Sequence, residues 1–357
     1  MRIILVIALT AFLVGCESNS SLAMLEDYRK RMANVLDIEV QPDTQAYSLA
    51  TFPDKRDRIQ KTTEVRQGLW EVLDFRKCDM LSMISERNSS LGKVMPASYK
   101  MRYELKFLDA LTACQSQLTL VKNPDETQTA FLERLGVIIE VKRSNLGAEI
   151  WNGIYGSDEV AKQFKSSNTP LLLQSEEPLT TITPPSDIFE KFLHLASLTQ
   201  EESFLLPSWL DSLEQEYERL HTSEMGPKLL ASLLPLSSHL DAVAAAIEAR
   251  LKRQPFCFKG HQPPRAAVLN TVFRKHYVDK VQPYMARVEQ LLKPWFSQQQ
   301  ALMTRLPSTP AMQDYAWQVY STDNPKSLWN RWIAARNRHT KAWHTILGQC
   351  NMMPGKH

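Results

Sequence analysis

Leu22-Ala23-Met24-Leu25-Glu26-Asp27-Tyr28-Arg29-Lys30-Arg31-Met32-Ala33-Asn34-Val35 carries the pattern that decides the fold. Leu22, Leu25, Tyr28, Met32 and Val35 recur three and four residues apart, beside the charged Glu26, Asp27, Arg29, Lys30 and Arg31. On a helix this spacing draws one apolar stripe next to a charged face, whereas a strand would scatter the same residues over both sides.

The same periodicity recurs downstream. With only 11 glycines in 357 residues and few alternating stretches, the fold class read from the chain is all-α, a multi-helix bundle. The patterns predict helices over 60–87, 97–119 and 126–144, with Pro96 and Asp125 as starters, and shorter helices over 146–165 around Trp151. Further helices are predicted over 187–197, 207–221, 225–253, 264–304 and 310–348, the longest broken at Pro235, Pro283, Pro294 or Asn324-Pro325. Between the two groups, Pro170, Pro178, Pro184 and Pro185 surround Thr180-Thr181-Ile182-Thr183. That stretch reads as an irregular linker or small hairpin near 169–185, so the expected layout is a helical subdomain over 22–168, a Pro-rich linker over 169–186, a second helical subdomain over 187–350 and a tail over 351–357. No internal repeat points to a solenoid.

Upstream of the first helix, Met1-Arg2 gives a positive start and Ile3 to Val14 an uncharged apolar or small run. Those twelve residues would span about 18 Å as a helix, too short for the ~30 Å hydrocarbon core of a bilayer and suited to a signal peptide. The run ends in Leu13-Val14-Gly15-Cys16, which looks like a bacterial lipobox. The resemblance implies cleavage of residues 1–15, lipid on Cys16, a short tether over 16–21 and a palmitate-type anchor facing the periplasm. In enteric bacteria an aspartate after the cysteine resembles an inner-membrane retention signal, so Glu17 favours the outer membrane.

Composition predicts a folded body behind this anchor, with 43% hydrophobic and 23% charged residues. Loss of Arg2 with the leader takes the formal charge from +3 to +2, which makes no case for nucleic acid. The four other cysteines are an even number in an oxidising compartment, and three pairings are possible. Cys78–Cys114 with Cys257–Cys350 is the favoured pair of bonds, because neither crosses the Pro-rich middle; buried free thiols are the alternative.

Motifs for chemistry are largely missing. The chain holds no H-E-x-x-H, G-x-S-x-G, Walker or G-x-G-x-x-G sequence. His339 and His344, five apart, would diverge by about 140° on a helix, and His239, His261 and His276 are scattered, so no metal or cofactor is expected. Charge is uneven: residues 201–224 carry seven acidic side chains against Arg219, and 250–293 carry ten basic ones against Asp279 and Glu289. Either these surfaces solvate the fold or dock on one another, or Arg250, Lys252, Arg253, Arg274, Lys275 and Arg287 face anionic headgroups or lipopolysaccharide phosphates near the anchor.

Two stretches are candidate binding elements. In the first, Arg87, Asn88 and Lys93 stand in a polar turn ahead of Tyr103-Glu104, a donor cluster for a carboxylate or phosphate. The alternative is an interhelical turn in which Asn88 and Ser89 cap and Arg87 pairs with Glu86 or Glu104. In the second, a run that also holds His339, Trp329 and Trp332 are three apart and Trp343 returns to their helix face after three turns, as core or as a ligand groove or sugar-stacking platform.

On Arg87-Asn88-Ser89-Ser90-Leu91-Gly92-Lys93, Tyr103-Glu104, Phe107-Leu108 and Cys114, then Leu328-Trp329, Trp332, His339, Trp343 and Cys350, the chain resembles a family of gammaproteobacterial lipoproteins known as a domain of unknown function. The resemblance covers nearly the whole mature chain and carries no activity with it. Three functions are weighed: a non-catalytic envelope adaptor or accessory that docks another envelope protein, a binder of an apolar or amphiphilic ligand between helices, and a cell-wall or lipid enzyme marked by perturbed titratable groups in a cleft.

Overall fold

In the computed structural model, which describes residues 20–66, 68–165, 167–173, 186–201, 205–258 and 261–354, the first helix is α1 (Ser21–Leu36). The Ser20 hydroxyl accepts the Ala23 N–H at 3.1 Å, and Asp37 ends the helix at a left-handed φ of 54°. Leu25, Tyr28, Met32 and Val35 are buried as predicted, whereas Leu22 is 42% exposed. The buried row runs back from Leu25 four residues to Ser21, leaving Leu22 on the flank. Cys16, the signal segment and residues 174–185 of the Pro-rich stretch lie outside the described residues.

The all-α prediction holds. Among the described residues the one β feature is an isolated bridge between Phe258 and His261. Helix α2 (Ala97–Thr119) begins after Pro96, and α3 (Glu126–Tyr155) opens with a capping box between Asp125 and Gln128. The two pack antiparallel, with Lys142 paired to Glu104 at 2.6 Å and Lys100 to Glu149 at 3.0 Å. Their approach is close because Gly153 faces Met101, whose side chain a Cβ at 153 would strike. Then come α4 (Ser186–Ser197), α5 (Leu213–Thr222), α6 (Met225–Arg253), α7 (Pro264–Thr271), α8 (Gln282–Arg305), α9 (Pro310–Val319) and α10 (Leu328–Gln349).

Prolines act differently from one site to the next. Pro235 and Pro294 sit inside α6 and α8 without ending them. Before Pro283 the chain widens into a π-helical run, Val272–Val281, that joins α7 to α8. A proline cannot donate to the carbonyl four residues back, and a wider turn relieves the clash of its ring with that carbonyl. Only Asn324-Pro325, between α9 and α10, marks a full break.

Residues 60–87 depart from the predicted helix. Residues 59–66 are non-helical, and beyond them come short pieces at Leu69–Leu73, Asp74–Cys78 and Leu81–Asn88. This strap lies along α3, where Asn152 binds both backbone groups of Gln60 (2.7 and 2.8 Å) and Asn145 those of Thr63 (3.0 and 2.7 Å). Asn145 and Asn152 are two turns apart on one face of α3, so their amides give an extended backbone the partners a neighbouring strand would otherwise supply. It also explains why α3 continues beyond 144.

Helix α6 is the buried centre. It is apolar enough over eighteen residues to pass for a membrane span, yet 67% of that window is inside the fold. Helices α1 and α10 run parallel to it: Glu26 meets His239 and Asp37 neighbours Arg250 on one side, while Arg338 bonds Asp241 and Cys350 is joined to Cys257 on the other. The first helix thus packs with elements that follow the Pro-rich stretch, and one hydrophobic cluster extends from Met24 to Cys350. The bonds Cys78–Cys114 and Cys257–Cys350 are the favoured pairing, with Cα atoms 5.5 and 5.1 Å apart.

Candidate functional site

Arg87 in the first predicted stretch and the tryptophan face in the second are both engaged within the fold. The Arg87 guanidinium turns inward to the Gly92 carbonyl at 2.5 Å, while Ser89 caps the Gly92 N–H at 3.0 Å. Gly92 is required there, because a Cβ would collide with the carbonyl oxygens of Glu86 and Arg87. Asn88 and Lys93 are exposed beside it, and Glu104 is buried against Lys142 on α3, apart from the turn. The stretch is an interhelical turn stapled by its own arginine. Trp329, Trp332, His339 and Trp343 do share one face of α10, and all four are buried.

His339 belongs to an arrangement that the sequence pattern did not reveal. Three consecutive side chains of α1 each meet a histidine from a different element. Glu26 Oε2 lies 3.6 Å from His239 Nε2 on α6, Asp27 Oδ2 lies 3.0 Å from His276 Nδ1 on the π-helical run, and the Tyr28 hydroxyl lies 2.7 Å from His339 Nε2 on α10. The Trp343 indole N–H donates to the Tyr28 oxygen at 2.8 Å and also reaches His339 Nε2 at 3.2 Å; with the buried imidazole neutral and Nε2 its acceptor, the Tyr28 O–H donates to that nitrogen. Burial holds His339 down to about 3 and lowers His239 and His276 as well. Glu26 is lowered to about 2, chiefly by its hydrogen bond to Arg29. The three histidines address three different partners, and among the described residues no three His, Cys, Asp or Glu side chains gather as a metal site. They form a collar that locks α1 into the bundle.

A shallow concavity of about 500 Å³ lies over Asn337, Thr340, Lys341, His344 and Thr345 on α10, and a second forms where residues 49–58 cross the short helix Asp158–Gln163 and leave a groove of about 490 Å³. Its apolar wall is a ring stack, Phe52 on Phe164 at 4.6 Å with planes 3° apart. Arg58, only 4% exposed, borders the groove with its guanidinium 5.1 Å from the Phe52 centroid. Nη1 donates to the carbonyls of Tyr155 (2.5 Å) and Ser157 (3.4 Å), and Nε has no partner. Burial lowers the affinity of Arg58 for its proton, partly offset by Asp158 and Asp54, neither of which forms an ion pair with it. At the rim, Lys55 lies 3.6 Å from Asp158, and Lys165 is exposed. Trp295 Nε1, Gln299 Nε2 and the hydroxyls of Tyr315 and Tyr320 also lack partners, but they are sealed in the core; Phe164 packs against Trp295 and Tyr315. Arg58 alone of this group borders the groove.

The charged segments separate. Asp211 pairs with Lys106 and Glu216 with Lys191, so these described carboxylates of the acidic stretch dock on α2 and α4. Helix α1 is about 24 Å long, and Arg250, Lys252 and Arg253 stand beside its far end, near Asp37. Arg287 donates to the Leu172 carbonyl at 3.0 Å.

The chain matches a family model along almost its entire length. Residues 25–354 fit the family described as a protein of unknown function, DUF3080, and the chain belongs to that family. No curated protein and no solved structure matches it.

Proposed function

We propose that the protein is a lipid-anchored lipoprotein of the gammaproteobacterial envelope, cleaved before Cys16, held on the periplasmic side, in the outer membrane by the rule that Glu17 satisfies, and acting as a non-catalytic adaptor for another envelope protein. The collar on α1 is the observation that carries this reading. A helix beginning five residues after the lipidated cysteine is gripped by three elements of the body, so the anchor is joined to the core and not to a loose arm. Five extended residues reach about 18 Å, which keeps the body at the membrane surface. Replacing Cys16 by Ala tests the anchor: palmitate labelling should vanish and uncleaved precursor accumulate, and continued labelling refutes it. Crosslinking of the native lipoprotein in membranes tests the adaptor role, which requires one stoichiometric envelope partner that the Cys16→Ala form captures poorly.

A second reading, binding of an apolar or amphiphilic ligand, is favoured by the groove at Phe52, Arg58 and Phe164. Its volume falls within the usual 300–1,000 Å³ of small-molecule sites.

A further inference from the structure

We infer that this groove is a binding site for a small carboxylate carried on an apolar chain, with Arg58 as the residue that recognises the carboxylate and the Phe52–Phe164 stack as the wall for the chain. The inference rests on the ligand-binding reading and names the ligand's chemistry.

A guanidinium has two edges, and here they are used differently. Nη1 is spent on two backbone carbonyls, which fix the plane of the group. The opposite edge presents Nε–H and an Nη2–H side by side, the fork that a carboxylate accepts with both oxygens. Nε is sealed from water as the groove stands and has no partner, and a buried donor of a charged group left unpaired is costly. A carboxylate that enters the groove and parts its wall at Arg58 would satisfy that donor and neutralise a buried cation at once.

Local structure keeps the fork in place. The Trp151 indole N–H holds the Arg58 carbonyl at 2.6 Å, and Asn152 latches Gln60 two residues on. The backbone at Arg58 is therefore clamped to α3, and the ring of Phe52 supports the guanidinium from one face. Among the charged side chains lining the groove, Lys55, Arg58 and Lys165 stand against Asp54 and Asp158. Asp158 is engaged by Lys55, which leaves Lys165 at the rim to draw an anion inward. The apolar share of the lining, with Leu49, Pro53 and Ala161 beside the ring stack, has no use for a small hydrophilic anion. It suits an alkyl or aryl carboxylate.

The test is equilibrium dialysis of radiolabelled octanoate against the mature lipoprotein in phosphatidylcholine nanodiscs, with empty nanodiscs as blank and octanol as the uncharged arm. Octanoate should bind above blank and at least tenfold more tightly than octanol. Arg58→Lys, which keeps the charge and removes the fork, should weaken octanoate about tenfold, the loss of one charge-assisted bond. Because Arg58 also holds the Tyr155 and Ser157 carbonyls, its variant could unfold; Lys165→Glu, at the exposed rim, then decides, and should weaken octanoate severalfold while leaving octanol unchanged. Equal binding of octanoate and octanol, unaffected by Lys165→Glu, overturns the carboxylate assignment and leaves the ligand-binding reading standing. No binding of either above blank removes both.

Discussion

The collar around α1 and the groove at Arg58 are both places where charged or polar side chains meet the apolar interior, and they are settled in opposite ways. In the collar, polar side chains of one helix find partners on three other elements, and among its buried, described atoms His339 Nδ1 is left without one. In the groove, a buried guanidinium uses one edge on the backbone and leaves Nε, on the other edge, unpaired within the wall of the cleft. Paired burial makes a fastening, since each group is held by what it would lose on opening; unpaired burial beside a cleft makes a site, since the missing partner must come from outside.

The largest expected effect is on the collar and depends on pH. His339 has an ordinary value of 6.5 and is held at about 3 in the fold. Its contribution is fully present above pH 6.5, and it is lost as pH falls from 6.5 toward 3, because the unfolded chain takes up a proton that the folded chain refuses. At 1.36 kcal/mol per pH unit the loss amounts to about 5 kcal/mol across that window. Denaturant titrations of the wild type at stepped pH should show it, and His339→Gln should reduce the slope by one proton; an unchanged slope would show that His339 is not the buried neutral group described.

Removing the centre of the collar is next. Tyr28→Phe deletes the hydroxyl that accepts from Trp343 and donates to His339; because the Trp343 N–H still reaches His339 Nε2 at 3.2 Å, the change should cost about 2 kcal/mol in unfolding free energy. A loss below 0.5 kcal/mol would mean that the network does not fasten α1.

On the groove side, Asn152→Ala removes both bonds to Gln60 and should destabilise by about 2 kcal/mol. Its sharper signature is local: amide exchange at Gln60 and neighbouring strap residues should accelerate well before global unfolding. Exchange that rises uniformly would break the idea that α3 holds the strap. Smallest of all, Lys165→Glu should change stability by less than about 0.5 kcal/mol, as exposed substitutions do. That contrast, no effect on folding beside an effect on octanoate binding, is what separates the site from the fastening.

The parts legible from sequence were those set by neighbours along the chain. Tyr28, Met32 and Val35 fall on the buried face because a helix repeats every 3.6 residues, and Pro96, Asp125 and Pro310 start helices because they suit a helix's first turn. One disulfide pairing was favoured for a similar reason, each bond lying within one half of the chain. The strap was not. Lys61-Thr62-Thr63-Glu64-Val65 has nothing of its own that satisfies its backbone, and the Asn side chains that do so come from 82 and 92 residues away. The collar was hidden similarly: His239, His276 and His339 look scattered, and the sequence signal nearest to it was three polar or ionisable residues in a row, Glu26-Asp27-Tyr28, at the edge of an apolar stripe.

By itself the sequence determined an all-α chain and the face of α1 that is buried, since both follow from local spacing; for the cysteines it favoured one pairing and left the alternatives open, and the structure decided between them. Tertiary structure alone decided where charge is buried with a partner and where without one. Tyr28 and His339 are 311 residues apart and Arg58 and Tyr155 are 97 apart, and desolvation and hydrogen bonding act through space, so no reading along the chain could have told the locked helix from the open groove.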